Sequence, residues 1–439
     1  MKEGTGFLLF AQNSKIENGL FFLILLFLPT QLGRHFWPSF SYILGIRTDY
    51  LSPTLYLTDV LILLLFGFFI LNLQIKSFTD LFKKRSFLFT NLIFLTLYIF
   101  LGIIFSKSPP AGLYGLLKLL EFVFFGIFTA FWINKNNVTK ILFIFSSAIL
   151  FESVLSIFQY LRQSSIGGVF YFFGERTFNG QTPGVANASI NGELILRPYG
   201  TFSHPNVLAG YLLIGMILIL FNFRIIKNKL NTLLSISALI IGTVTLFLTF
   251  SRIAILLWPL ILVIFMISKI RKILFKKNFI PILIFIFIIV LFSFFTPLPS
   301  RFSGFRFSDE SFYQRQELIN KSQDIISMHP ILGTGLNNFL IELSQIQKTN
   351  NAVFYLQPVH NIFLLVAAQT GIAGLIYFIL FLAKTFKKAV DNKNLINYKI
   401  IIFLSFLILG SFDHYFLTVQ QGQLLLSFIV GLIWARFKN

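Results

Sequence analysis

The residues richest in chemistry are arginines and histidines at the ends of long apolar runs. Arg252 follows Ser251 in a very tight turn between two such runs. Arg315 lies two residues after Tyr313, in a stretch with helical polar and apolar spacing. Arg197 opens the segment Arg197-Pro198-Tyr199-Gly200-Thr201-Phe202-Ser203-His204-Pro205-Asn206. His360 and Asn361 begin a later apolar run, and Asp413-His414 ends the next one. An arginine offers a planar fork of donors that suits phosphate or carboxylate. A neutral imidazole near a surface can accept a proton at neutral pH, and a carboxylate can orient it. Two or three arginines, one histidine and no metal fit a defined task. The arginines neutralise a departing diphosphate while the imidazole takes the proton of an acceptor hydroxyl. Blander roles compete with each of these. Arg252 would serve as a snorkelling interface anchor, Arg315 as a headgroup-facing residue and His360 as a polar helix cap. The 197–206 segment also reads as a helix entry, with Pro205 in the first turn and Ser203 or His204 at the cap.

The elements that must position these residues are set by hydropathy. The chain has 439 residues, 56% hydrophobic and only 12% charged, with a mean hydropathy of +0.80. Soluble domains carry about 25% charged residues, so an ordinary soluble enzyme and a disordered chain are excluded. Reading about 20 apolar residues per membrane crossing gives about twelve helices. They fall near 19–33, 54–74, 86–106, 111–133, 138–160, 205–223, 231–250, 253–268, 279–296, 361–383, 398–413 and 419–435. The expected fold is all-α, a polytopic helical membrane protein forming one integral-membrane domain over 1–439. There are no cysteines, which removes disulfides and thiolate metal sites. The 59 phenylalanines read as lipid-facing filler.

Charge supplies the orientation. One set of loops and both termini hold 23 of the 36 basic residues against four acidic ones, and by the positive-inside rule this side is cytoplasmic. The formal charge of +20 is therefore a topology signal, not a nucleic-acid footprint. Two long loops lie on the other side, about 161–204 and 297–359, the second between helices 9 and 10, and together they form the expected active face. In the second loop, Ser311–Met328 reads as a surface helix stopped by His329-Pro330, and Leu336–Gln347 as a second short helix. Inside the membrane the ionisable residues are Asp59, Lys118, Glu121 and Glu152. Lys118 and Glu121 are spaced to pair, and Asp59 suits a helix–helix acceptor. No Asp-x-Asp or Glu-x-x-His pattern occurs, so no metal and no cofactor are expected. Asp49, in the first outer loop, is a lone carboxylate.

At these residues the chain resembles the O-antigen ligase and O-antigen polymerase superfamily of bacterial inner-membrane proteins. The likeness is carried by Arg197–Asn206 with Ala209-Gly210-Tyr211-Leu212, and by Thr249-Phe250-Ser251-Arg252. It continues in His329-Pro330-Ile331-Leu332-Gly333-Thr334-Gly335 with Asn338-Phe339, and in Val359-His360-Asn361 with Gly371. The resemblance implies a metal-independent membrane glycosyltransferase of the GT-C type. Its donor would be an undecaprenyl-diphosphate-linked glycan and its acceptor a glycan, lipid or protein, joined outside the cytoplasmic membrane. It implies that Arg252 and Arg315 bind the diphosphate, that His360 is the base, and that Asp413 is a functional carboxylate. Arg197 would join the donor site, with Asn361, His204 and Asn206 in support. Ligase, polymerase and protein O-oligosaccharyltransferase share these features. A twelve-span transporter or a flippase of lipid-linked glycan is the competing class. The short connection after the sixth helix and the thin set of intramembrane charges count against it.

Overall fold

The computed structural model describes residues 15–72, 86–134, 137–190, 192–273, 310–347, 355–390 and 397–435. The described residues are mostly helical. The helices are α1 (Lys15–Leu26), α2 (Leu57–Leu71), α3 (Ser86–Ile104), α4 (Pro109–Trp132), α5 (Val138–Arg162), α6 (Pro205–Asn222) and α7 (Lys229–Leu248). They continue as α8 (Arg252–Ile273), α9 (Glu310–Met328), α10 (Phe339–Gln347), α11 (Ile362–Val390), α12 (Tyr398–Phe412), α13 (Tyr415–Thr418) and α14 (Gln420–Trp434). Ten of the twelve expected spans overlap a helix over most of their length, whereas the first, 19–33, is helical only to Leu26 and then turns into the strand at Gly33. The ninth, 279–296, lies outside the described residues. Five helices (α4, α5, α6, α7 and α11) are long and apolar enough to cross a membrane, as in a helical membrane protein. Several of the others are shorter apolar helices, α2, α12 and α14 among them.

Helix α6 is the centre of the packing. Sixteen of its eighteen residues are buried, which is the mark of a helix apolar all round and enclosed by others. It touches α5, α7, α8, α12 and α14. A second, smaller apolar core brings together Ile43 and Leu51, Leu318 and Ile325 of α9, Phe339, Leu340 and Leu343 of α10, and Leu365 and Ala368 of α11. This core fixes the connection between α1 and α2 and the two short helices against the start of α11.

Strands qualify the all-α expectation. Among the described residues three two-stranded antiparallel pairs occur: β1 (Gly33–His35) with β4 (Thr54–Tyr56), β2 (Tyr42–Ile43) with β3 (Ile46–Arg47), and β5 (Asn187–Ile190) with β6 (Glu193–Leu196). All sit in connections, where hydropathy is uninformative. The predicted surface helix is found as α9 and ends at Met328, one residue before His329-Pro330, because proline cannot continue the helix. The predicted second short helix starts later, at Phe339.

Helix α11 is not one straight rod. Gly371 takes φ 68° and ψ −178° inside it, a conformation that glycine alone adopts without strain. The segment after α9 fills the break. Ile372 N donates to Pro330 O at 2.9 Å and Thr334 N donates to Ala368 O at 2.8 Å. Tyr98 of α3 donates from its hydroxyl to Thr370 O at 2.7 Å and to Ile331 O. A Cβ on Gly371 would collide with Ile331 O. The His329–Gly335 segment is thus a backbone seat for the kink, and it sets where the first half of α11 begins.

Candidate functional site

Four segments far apart in sequence converge at one end of α6. His204 is its N-cap, and its Nδ1 accepts from Asn206 N at 3.1 Å. Pro205 occupies the first turn, where a missing N–H costs nothing. The stretch leading into it is held from α5. Glu152 accepts from Thr201 N at 2.8 Å and from Thr201 Oγ1 at 2.7 Å. Gln159 Oε1 accepts from Tyr199 N at 3.0 Å and Gly200 N at 2.8 Å. The stretch that carries Arg197 and Asn206 is therefore clamped at 199–201 by two buried side chains.

From there a chain of contacts runs to the histidines. Arg197, buried, donates from Nε to Thr249 O at 2.7 Å and from Nη2 to Asn206 Oδ1 at 2.6 Å. Asn206 Nδ2 donates to Asp413 Oδ2 at 2.8 Å. Asp413 Oδ1 accepts from His414 N at 2.8 Å and lies 3.5 Å from His360 Nδ1. Thr249 belongs to the turn between α7 and α8, where Phe250 takes a positive φ of 52°. Arg252 is the first residue of α8. A cation is disfavoured at a helix N-terminus, because both carry positive potential, and the pairing is favourable only toward an anion.

His360 faces two groups. Its Nε2 is 3.3 Å from Gln357 Oε1, and its ring lies 4.9 Å from the ring of His414. His414 is buried, with Nδ1 2.7 Å from Thr418 Oγ1 and its ring edge-on to Tyr50 at 5.5 Å. Burial pushes His414 down to about 3, helped by the charge of His360 and opposed by Asp413. His204 is likewise pushed down to about 3, by burial first and then by Arg197. Both imidazoles stay neutral at ordinary pH. Burial works against ionisation of Asp413, yet contact with His360 and the nearby His414 and His204 hold its carboxyl well below the usual range. Asp413 is an anion set among imidazoles and an amide.

The remaining residues singled out in the sequence fall in different places. Arg315 is exposed on α9, near enough for its charge to bear on His204 and His414. Asn361 is a cap and brace. Its Oδ1 accepts from Phe363 N and Leu364 N, and its Nδ2 donates to Ser411 O at 3.1 Å. Asp49 pairs with Arg176 at 3.5 Å on the surface. The intramembrane charges close on one another: Lys118 lies 2.6 Å from Asp59 and 3.1 Å from Glu121. Both sequence readings of these residues, the Lys118–Glu121 pair and Asp59 as an acceptor between helices, hold in one cluster.

Sequence reasoning passed over His414 as a site residue, although its adjacency to Asp413 was visible. It also passed over Gln357, Thr418 and Tyr50, which carry no signal outside the fold. Ligand clustering is a further difference. The sequence contains no metal-ligand pattern, but folding brings one donor atom from each of His360, Asp413 and His414 within 4.8 Å of one another. The three come from segments some fifty residues apart, beyond the reach of any spacing rule. Among the described residues this is a grouping whose spacing could hold a cation.

No curated protein matches the chain. Residues 237–379 match the family described as O-antigen ligase. That segment includes Arg252, Arg315, His360 and the kink at Gly371, while Arg197, Asn206 and Asp413 lie outside it. Over that stretch the chain is similar to O-antigen ligases.

Proposed function

We propose that the protein transfers a glycan from an undecaprenyl-diphosphate-linked donor to an acceptor hydroxyl, at the extracytoplasmic face of a bacterial cytoplasmic membrane. The observation that carries this reading is the contact of His360 with Asp413, at the end of a bonded chain that reaches back to the turn before Arg252. With a proton on Nδ1 facing Asp413, the other nitrogen of His360 is left basic. An acceptor hydroxyl taking the place of Gln357 gives its proton to Nε2 as its oxygen bonds to the anomeric carbon. The bond from that carbon to the diphosphate breaks, and its electron pair leaves with the diphosphate. Attack from the face opposite the leaving group inverts the configuration.

Arg252 and Arg315 neutralise the departing charge in place of a metal. Arg197 has its Nε and one Nη engaged inside the protein, so its part is to position Asn206, Asp413 and the turn before Arg252. The twelve-helix count, the cytoplasmic termini and the single integral-membrane domain belong to the same reading.

The test is a product assay on the purified full-length chain in detergent. Undecaprenyl-diphosphate-linked glycan is offered with lipid, glycan and peptide acceptors, with and without EDTA. A covalent product with one acceptor class, lost in His360→Ala, is expected. Movement of the donor across liposome membranes with no covalent product from any acceptor would replace the transferase by a flippase.

A further inference from the structure

The connection between α1 and α2 ends in a hairpin whose chemistry does not suit water. Strands β2 and β3 are joined by Leu44 and Gly45, with φ of 52° and 79°. Two positive φ values in a two-residue hairpin define the turn that asparagine-glycine normally supplies. A leucine at the first position is strained, and it gains nothing in water to offset the strain. Yet Leu44 is 46% exposed, and next to it Ile46 is 57% and Tyr42 37% exposed. On the hairpin itself Arg47 lies over the Trp37 ring at 5.3 Å, and in β1, at the base of the same connection, Arg34 lies over the Phe36 ring at 5.8 Å. The one carboxylate of the hairpin region, Asp49, is already paired with Arg176. Exposed aliphatic tip, aromatic flank and two arginines that form no ion pair with an acid among the described residues make the pattern of an interfacial anchor that meets anionic headgroups.

We propose that the 42–47 hairpin inserts Leu44 and Ile46 into the surface of the bilayer, while Arg34 and Arg47 bind the phosphates of anionic phospholipids. The occupant is the lipid leaflet itself. The base of the same loop is fixed: Ile43 and Leu51 sit in the second core, and Tyr50 packs on His414. The hairpin therefore ties the level of the headgroups to the histidine cluster through a few rigid residues. The inference rests on the membrane-spanning part of the reading above and not on the transfer chemistry. Its test involves no turnover, so the two fail separately.

The chain has no cysteine, so Leu44→Cys and, in a second protein, Ile46→Cys each create a unique labelling position. Each full-length variant carries an environment-sensitive fluorophore and is placed in nanodiscs of phosphatidylcholine with increasing phosphatidylglycerol. Blue-shifted emission, quenching by lipids spin-labelled on the acyl chain and shielding from aqueous iodide are expected at both positions. The phosphatidylglycerol fraction needed for half-maximal quenching should rise about fivefold when Arg34→Gln or Arg47→Gln is added, the loss expected for one basic residue at an anionic surface. Water-like emission, open to iodide at both positions, overturns the insertion. Insertion equal in both lipids and unchanged by the arginine substitutions overturns the headgroup binding.

Discussion

Two buried carboxylates, Asp413 and Asp59, sit in clusters of opposite character. Asp59 is bound to Lys118 at 2.6 Å, to Tyr56 N at 2.9 Å and to Gln420 of α14, and Glu121 shares the same ammonium. Its charge is cancelled by a fixed cation, and the helices α2, α4 and α14 are tied by the result. Asp413 meets an asparagine amide and two imidazoles. Its charge is answered by an amide donor, a backbone N–H and a neighbouring imidazole. A closed ion pair stabilises an arrangement of helices. A carboxylate among imidazoles leaves a proton acceptor in place, which is what a reaction needs.

The contrast can be broken at several points. Replacing His360 by alanine should cost about 10²–10⁴ in turnover, the range for removing a general base, with the thermal midpoint nearly unchanged. A variant retaining full turnover would remove the base from His360. Lys118→Met should do the reverse. It strands two carboxylates in the interior and should lower stability by about 3–5 kcal/mol, while the folded fraction still turns over. Denaturation monitored beside activity per folded molecule separates the two cases, and an activity loss without unfolding would make the Asp59 cluster part of the site. Asp413→Asn should lower turnover by about 10–100-fold through loss of imidazole orientation and leave KM for the donor close to wild type.

A smaller effect is expected from pH. His414 has a folded pKa below its unfolded value, so between pH 6.5 and about 3 the unfolded chain binds the extra proton. Stability is therefore held above pH 6.5 and falls as the pH drops below it, by at most about 1.4 kcal/mol per pH unit for this group. Melting curves from pH 7 to 4.5 should show the decline, and His414→Gln should reduce its slope, the remainder coming from His204. A slope unaltered by that substitution would place the proton uptake elsewhere. Last, EDTA should leave turnover unchanged. Activity lost to EDTA and restored by a divalent cation would turn His360, Asp413 and His414 into a metal site.

How far the sequence could be read follows from the range of the forces involved. An apolar run of 20 residues is a local property, and ten of the expected helices lie where the hydropathy put them, while the one expected at 19–33 stops at Leu26. The end of α9 at His329-Pro330 and the His204 cap on α6 are equally local, set by one proline and one side chain. The kink in α11 was not legible. Gly371 was visible within the family likeness, but the backbone that fills the break comes from Pro330 to Thr334, forty residues away. Contact between His360 and Asp413 is hidden for the same reason. The short strands escaped because two to four residues in a loop give no alternation to read. Arg197 resembled a ligand arginine by type, and only its bonds to Thr249 and Asn206 reveal a residue used within the protein.

The enclosure of α6 has a consequence for biosynthesis. Its neighbours include α12 and α14, which leave the ribosome about two hundred residues after it. Until they arrive, part of the apolar surface of α6 has no protein to cover it and must be shielded by lipid or by the insertion machinery. Asp413 arrives with the same late segment. A nascent chain can therefore insert its helices early but cannot complete the polar cluster around Asp413 until synthesis is nearly over.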